Sequence, residues 1–278
     1  SVVSGGYLPE SKHTCARFFV PIMATFTFSL FLAVLSENGI ALLAPLWFER
    51  FSLNILHSFD VGLLIGLFVF ALLATALGNF RTDIARLTLV FLVVYAGLVG
   101  TFKLKAHNVG NTYAQAMDVP VKEVYTLPQP LSPFYWRIII LTEDARLHET
   151  RISLKRDRLI PIRPDMNIIQ KAKASYMPIH KAVWRIYNRY GLDNPEFLEQ
   201  AWQSDISNKL HWLSRFAVYQ KMHMYQGMNC AQLKDLRFDG VKSEYLGTYL
   251  LCLNTEQKSW QAYQAADDAS FFRLDVIY

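Results

Sequence analysis

The stretch Leu127-Pro128-Gln129-Pro130-Leu131-Ser132-Pro133-Phe134-Tyr135-Trp136-Arg137-Ile138-Ile139-Ile140 separates two kinds of sequence. Its prolines rule out helix interior, because each removes an N–H donor, and the aromatic and β-branched run that follows suits a pleated strand. Upstream the chain is apolar and poor in charge; downstream charges are frequent and apolar positions alternate. The reading is a membrane protein, with an N-terminal α-helical transmembrane bundle of about three spans followed by an α+β soluble domain over residues 127–278.

Toward the N-terminus, residues 104–126 read as a transition, with Lys105 and His107 and with breaks at Gly110 and Pro120. Residues 18–103 form the transmembrane region. Within it 18–35 lack charge, and Pro21 is placed in a first helical turn; 61–80 is a second apolar run and 87–102 a third, slightly short one. Arg81, Asp83 and Arg86 make a polar turn between the last two. Residues 36–60 read as an interfacial loop: 40–48 is apolar but too short to cross, Trp47 suits headgroup depth, and Glu49-Arg50 marks water as an interfacial ion pair. Residues 1–17 are a polar flank whose start at Ser1 reads as a processed or truncated end. Lys12, Arg17, Arg81 and Arg86 on one side outnumber Arg50, Lys103 and Lys105 on the other, which favours a cytoplasmic 81–86 turn and a C-terminal domain outside.

Toward the C-terminus, 134–141 and 146–154 read as a β-hairpin, followed by a basic patch of Lys155, Arg156, Arg158 and Arg163. Helices are predicted over 182–190, stopped by Gly191, and over 194–202, capped by Asn194 with Pro195 at its first position. Residues 208–222 have amphipathic spacing, with an end that also suits a strand. Residues 230–238 and 245–253 are predicted strands joined by a loop opening with Asp239-Gly240; Asp235 and Arg237 then share one face. The chain beyond 253 is unassigned.

Hydrophobic residues make up 52% of the chain and mean hydropathy is +0.16, an excess that sits in the first 103 residues. A net charge of +5 without a basic stripe fits a membrane-surface protein, in contact with membrane lipid, better than a dedicated nucleic-acid binder, and the basic 146–163 region gives an alternative reading: a non-catalytic, membrane-anchored module that binds a protein partner or anionic lipid headgroups. Cys15, Cys230 and Cys252 have no metal-ligand spacing: they are either buried, idle thiols or, for Cys230 and Cys252, a disulfide that requires an oxidising compartment. Ionisable residues near membrane depth are the candidate site. His57 and Asp60, three apart, are able to offer a metal an imidazole and a carboxylate, with Glu37 as a neighbour. The plainer alternative has Asp60 capping the second apolar helix and His57 at the interface. No HExxH, GxSxG or phosphate-binding glycine loop occurs, and the aromatic residues of the C-terminal half fit core packing.

Three stretches carry a resemblance. Asn38-Gly39-Ile40-Ala41-Leu42-Leu43-Ala44-Pro45, with Arg50-Phe51-Ser52-Leu53 and Asp60 after it, is the first. Pro128 to Arg137 is the second, and Asp235-Leu236-Arg237-Phe238, preceded by Trp212-Leu213-Ser214-Arg215-Phe216, is the third. In this order, over about residues 20–255, they resemble the LexA-regulated, inner-membrane family of metal-dependent hydrolases of bacteria. The resemblance implies a divalent metal that activates water against a phosphoester or amide. It also implies ligands that fall before Ser1 or on Ser29 and Ala33, which do not supply them, so only Asp60 carries over, with Val61 where the family has proline. Asp60, His57 and Glu37 are then the expected metal residues.

Overall fold

The computed structural model describes residues 11–37, 39–41, 46, 50–191, 194–204, 206, 210, 214–239, 245–254, 259–266 and 270–274. Among them the architecture is α+β, and the chain divides into two units: Ser1–Lys103 with Leu127–Pro133, and Leu104–Thr126 with Phe134–Tyr278.

The first unit contains α1 (Ser11–Leu35), α2 (Val61–Ala76) and the start of α3 (Arg81–Ala116). One helical stretch, Gly78–Ala116, is long and apolar enough to cross a membrane by length and composition; Ile22–Leu35 and Val61–Ala76 are apolar but shorter. All three helices expose large apolar side chains, among them Phe19 (63%), Phe68 (64%) and Val93 (70%). Three boundaries differ from the sequence expectation. α1 begins at Ser11, which leaves Pro21 inside the helix rather than in its first turn. The second apolar helix stops at Ala76, and Gly78–Phe80 is a single 3-10 turn, since Gly78 and Asn79 are poor helix formers. The predicted 81–86 polar turn is instead the first turn of α3, where Arg86 lies 3.3 Å from the Asp83 carboxylate. The expected interfacial residues 42–45 and 47–49, Trp47 and Glu49 included, lie outside the described residues.

The second unit holds the rest of α3 and two five-stranded sheets. Residues 104–126 are not a structureless transition: helix runs to Ala116 and β1 (Val121–Pro128) follows. The helix passes through Gly110 because a Cβ there would lie 2.9 Å from Val124 and 3.0 Å from Ile138, so the missing side chain lets α3 lie close to the sheet. The first sheet has the order β1-β2-β3-β4, with β5 also on β3. The predicted hairpin is present as β2 (Tyr135–Thr142) and β3 (Arg146–Ser153), antiparallel, with Arg137 opposite Arg151 and Ile139 opposite Glu149. β4 (Met177–Pro178) runs parallel to β3. β5 (Arg185–Asn188) pairs antiparallel with β3, so the helix expected over 182–190 is a strand: its Trp, Ile and Tyr suit a sheet edge better than an isolated two-turn helix. Helix α4 (Ile168–Ala174) links these strands.

The second sheet has the order β10-β9-β8-β7-β6, from β6 (Ala217–Tyr225), β7 (Met228–Asp235), β8 (Thr248–Asn254), β9 (Ser259–Ala265) and β10 (Phe271–Arg273). The last two occupy the stretch that sequence left unassigned. One face packs on α5 (Pro195–Gln203), which Asn194 caps as expected, through Leu198, Ala201, Leu233, Tyr249 and Leu251. On the other face Cys230 and Cys252, opposite one another on β7 and β8, form a disulfide. β7 ends at Asp235, so Asp235 and Arg237 do not share a strand face; Leu236–Phe238 is a 3-10 turn in which Arg237 Nη2 folds back to donate to Asp235 Oδ2 at 2.8 Å. Gly240 lies outside the described residues.

Candidate functional site

The polar cluster of the first unit is built by the loop that follows α1. The last carbonyls of a helix lack intrahelical partners. Here Leu53 N–H donates to Val34 O at 2.8 Å, and the N–H groups of Ile55 and Leu56 donate to Leu35 O at 2.9 Å each. Lys103 Nζ donates to Leu53 O at 2.6 Å, which ties the loop to α3. This return path brings His57 Nε2 to 3.1 Å from Glu37 Oε1, two residues past the end of α1. The His57 ring accepts at Nδ1 from the Phe59 N–H (3.0 Å), so its Nε2 carries the proton and donates to Glu37. Burial lowers the His57 pKa from its ordinary value, against the opposing pull of Asp60.

Asp60, 8% exposed, caps α2: its Oδ1 accepts from Leu63 N–H at 2.9 Å and from the Tyr95 hydroxyl of α3 at 2.5 Å. The capping role is therefore present, as the plainer sequence reading had it. Tyr95 was not visible from the sequence, because its partner lies 35 residues away; only Gly62 hinted at a close approach, since a Cβ there would lie 2.6 Å from the Tyr95 oxygen.

The structure thus brings Glu37 and His57 into contact and places Asp60 beside them in another hydrogen-bonded role. This donor set does not fit a divalent ion. With Nδ1 occupied by a backbone N–H and Nε2 protonated, His57 offers no lone pair, and Asp60 Oδ1 already accepts twice. Among the described residues no group of three or more His, Cys, Asp or Glu is arranged to hold a metal.

The second unit offers a different feature. A groove of about 820 Å³ runs between the end of α3 and the 179–186 segment, with Lys105, Val109, Tyr113 and Met117 on one side and Trp184 and Ile186 on the other. Trp184 stacks on Tyr113 at 3.8 Å, the planes 11° apart. Behind it the Tyr113 hydroxyl lies 3.1 Å from Nδ1 of buried His148, whose Nε2 has no hydrogen-bond partner among the described residues. Burial, and then Arg146, hold the His148 pKa below its ordinary value.

The arginines of the hairpin itself are used internally. Arg146 pairs with Asp144 at 2.6 Å. Arg151 donates to Glu149 Oε1 at 3.0 Å and to Asp239 Oδ2 at 2.6 Å. Arg137, 3% exposed, donates to Asp239 O at 2.9 Å and lies 3.5 Å from Glu149; burial depresses its pKa, with Arg151 adding to the effect. Asp235, which Ser214 Oγ also reaches at 2.7 Å, sets the turn that presents Asp239 to both arginines.

Fold and sites together define a class: an α+β chain in which an apolar helical unit is joined to a unit of two mainly antiparallel sheets, with a buried polar cluster in the first and an aromatic groove in the second. No protein-family model matches the chain, and comparison with curated proteins and with solved structures finds no significant match.

Proposed function

We propose that this chain is an integral protein of the bacterial inner membrane whose three apolar helices span the bilayer and hold a non-catalytic binding unit on the oxidising side. The observation that carries the reading is the outward apolar surface of all three helices, with Phe19, Phe68 and Val93 each more than 60% exposed, since water penalises such surface and lipid does not. The Cys230–Cys252 disulfide supports an outside location for the second unit, because cytosolic thiols are kept reduced. A protein partner then contacts the Tyr113–Trp184 groove, where stacked rings give area and Lys105 gives a cation.

The experiment is alkaline carbonate extraction of bacterial membranes followed by labelling with a membrane-impermeant maleimide. Retention in the pellet is expected, with an exposed Met224→Cys labelled in intact spheroplasts and the buried Cys230 and Cys252 labelled only after denaturation and reduction. Release into the supernatant would overturn the membrane reading, and free thiols at Cys230 and Cys252 would overturn the orientation.

The hydrolase reading rests on the sequence resemblance alone, since His57 and Asp60 are engaged in hydrogen bonds of their own. It requires a bound divalent ion and an activity lost on Asp60→Ala. Metal analysis of the purified chain that finds no stoichiometric ion counts against it.

A further inference from the structure

Between Arg156 and Tyr176 the second unit carries a segment with a tied base and an uncovered tip. At the base, Arg156 Nη1 donates to the carbonyls of Lys173 (2.9 Å) and Tyr176 (2.8 Å), and its Nη2 donates to the Tyr135 hydroxyl at 3.3 Å. Tyr135 in turn stacks on Tyr176, ring centroids 4.4 Å apart. Pro161 and Pro164 stiffen the tip, and the Asn167–Gln170 capping box starts α4. The segment is therefore held in shape from its base, not from its tip.

The tip is nonetheless apolar. Leu159, Ile160, Ile162, Ile168 and Ile169 are 48%, 38%, 64%, 66% and 54% exposed. Exposed cations flank them along the segment: Lys155, Arg158, Arg163, Lys171 and Lys173, offset within it by Asp157 and by Asp165, which lies 3.6 Å from Arg163. Five uncovered aliphatic side chains interspersed with exposed cations match one surface in chemistry. Aliphatic groups enter the boundary of the acyl region while lysine and arginine meet lipid phosphates.

We propose that residues 158–169 insert into the surface of an anionic phospholipid bilayer. The inference rests on the membrane-embedded reading, under which the segment meets the bilayer at high effective concentration and a modest intrinsic affinity suffices. It goes beyond that reading by assigning the second unit a lipid contact of its own.

The test uses the full chain with Cys15→Ser, labelled with an environment-sensitive fluorophore at Ile162→Cys or, as a control, at Met224→Cys, an exposed apolar position on β6 (63%). Each is reconstituted into phosphatidylcholine vesicles with or without phosphatidylglycerol, containing a nitroxide-labelled lipid. Quenching at 162 that requires phosphatidylglycerol and is absent at 224 is the expected result. Arg158→Gln and Arg163→Gln should each lower the insertion equilibrium about fivefold. No quenching at 162, equal quenching at 224, or equal quenching without anionic lipid would overturn the inference. A chain that alkaline carbonate releases from the membrane would instead overturn the membrane-embedded reading, so the two failures are distinct.

Discussion

Replacing Glu149 by glutamine should be among the most damaging single changes in the second unit. Glu149 is 1% exposed and is the carboxylate between two arginines, 3.0 Å from Arg151 Nε and 3.5 Å from Arg137 Nε. At an effective dielectric constant of about 20, a unit pair at these separations attracts by about 5 kcal/mol before desolvation is counted. Arg151 keeps Asp239 when the charge is lost, but Arg137, 3% exposed, keeps as its hydrogen-bond acceptor among the described residues the backbone carbonyl of Asp239. Breaking a buried ion pair from one side costs about 3–5 kcal/mol, because the remaining charge stays buried. In a unit of this size, that corresponds to a fall in melting temperature of about 10 °C. Five of the six tryptophans, Trp136, Trp184, Trp202, Trp212 and Trp260, lie in the second unit, so tryptophan fluorescence of the detergent-solubilised chain during a thermal or urea ramp reports on it. The double variant Arg137→Met/Glu149→Gln removes both charges and should recover more than half of the loss. A Glu149→Gln variant within about 1 kcal/mol of the parent would refute the reasoning. So would a double variant whose cost equals the sum of the two single ones.

Reduction, or Cys230→Ser/Cys252→Ser, should destabilise the second unit by about 3 kcal/mol, the loop-closure entropy of a cross-link across a sequence separation of 22; urea titration by tryptophan fluorescence measures it. Gly110→Leu should cost about 1–3 kcal/mol through overpacking against Val124 and Ile138, read as a lowered urea midpoint. His148 titrates below its ordinary 6.5 because of burial, so the unfolded chain takes up its proton first as pH falls. The stability contributed by neutral His148 is thus complete above about pH 6.5 and lost as pH drops from there through the folded value. His57 acts in the same direction. Melting temperatures at pH 7.5 and 5.5 should differ less in His148→Phe than in the parent.

What the sequence made legible was local. The apolar helices, the 134–154 hairpin and the Asn194 cap each follow from neighbouring residues, and all are present apart from shifts at their ends. What stayed hidden depends on partners far along the chain. β5 imitates a helix over 182–190 until its pairing with β3 is known, and Tyr95 gives no sign that it donates to Asp60.

The same distinction bears on the resemblance itself. Its most specific stretch ends at Arg137, and its last motif is Asp235-Leu236-Arg237-Phe238. Across 102 residues, Arg137 donates to the backbone of Asp239, the residue that the Asp235–Arg237 turn presents. Two of the three stretches therefore meet at a buried staple between the hairpin of one sheet and the end of β7 in the other. A staple of this kind constrains residue identity tightly, because a guanidinium without its acceptors is costly to bury, yet it binds no substrate. These two motifs are thus accounted for by the packing of this chain's own second unit. The chemical claim falls on the first stretch alone, and there on Asp60, whose Oδ1 is already engaged by a helix N-terminus and a tyrosine.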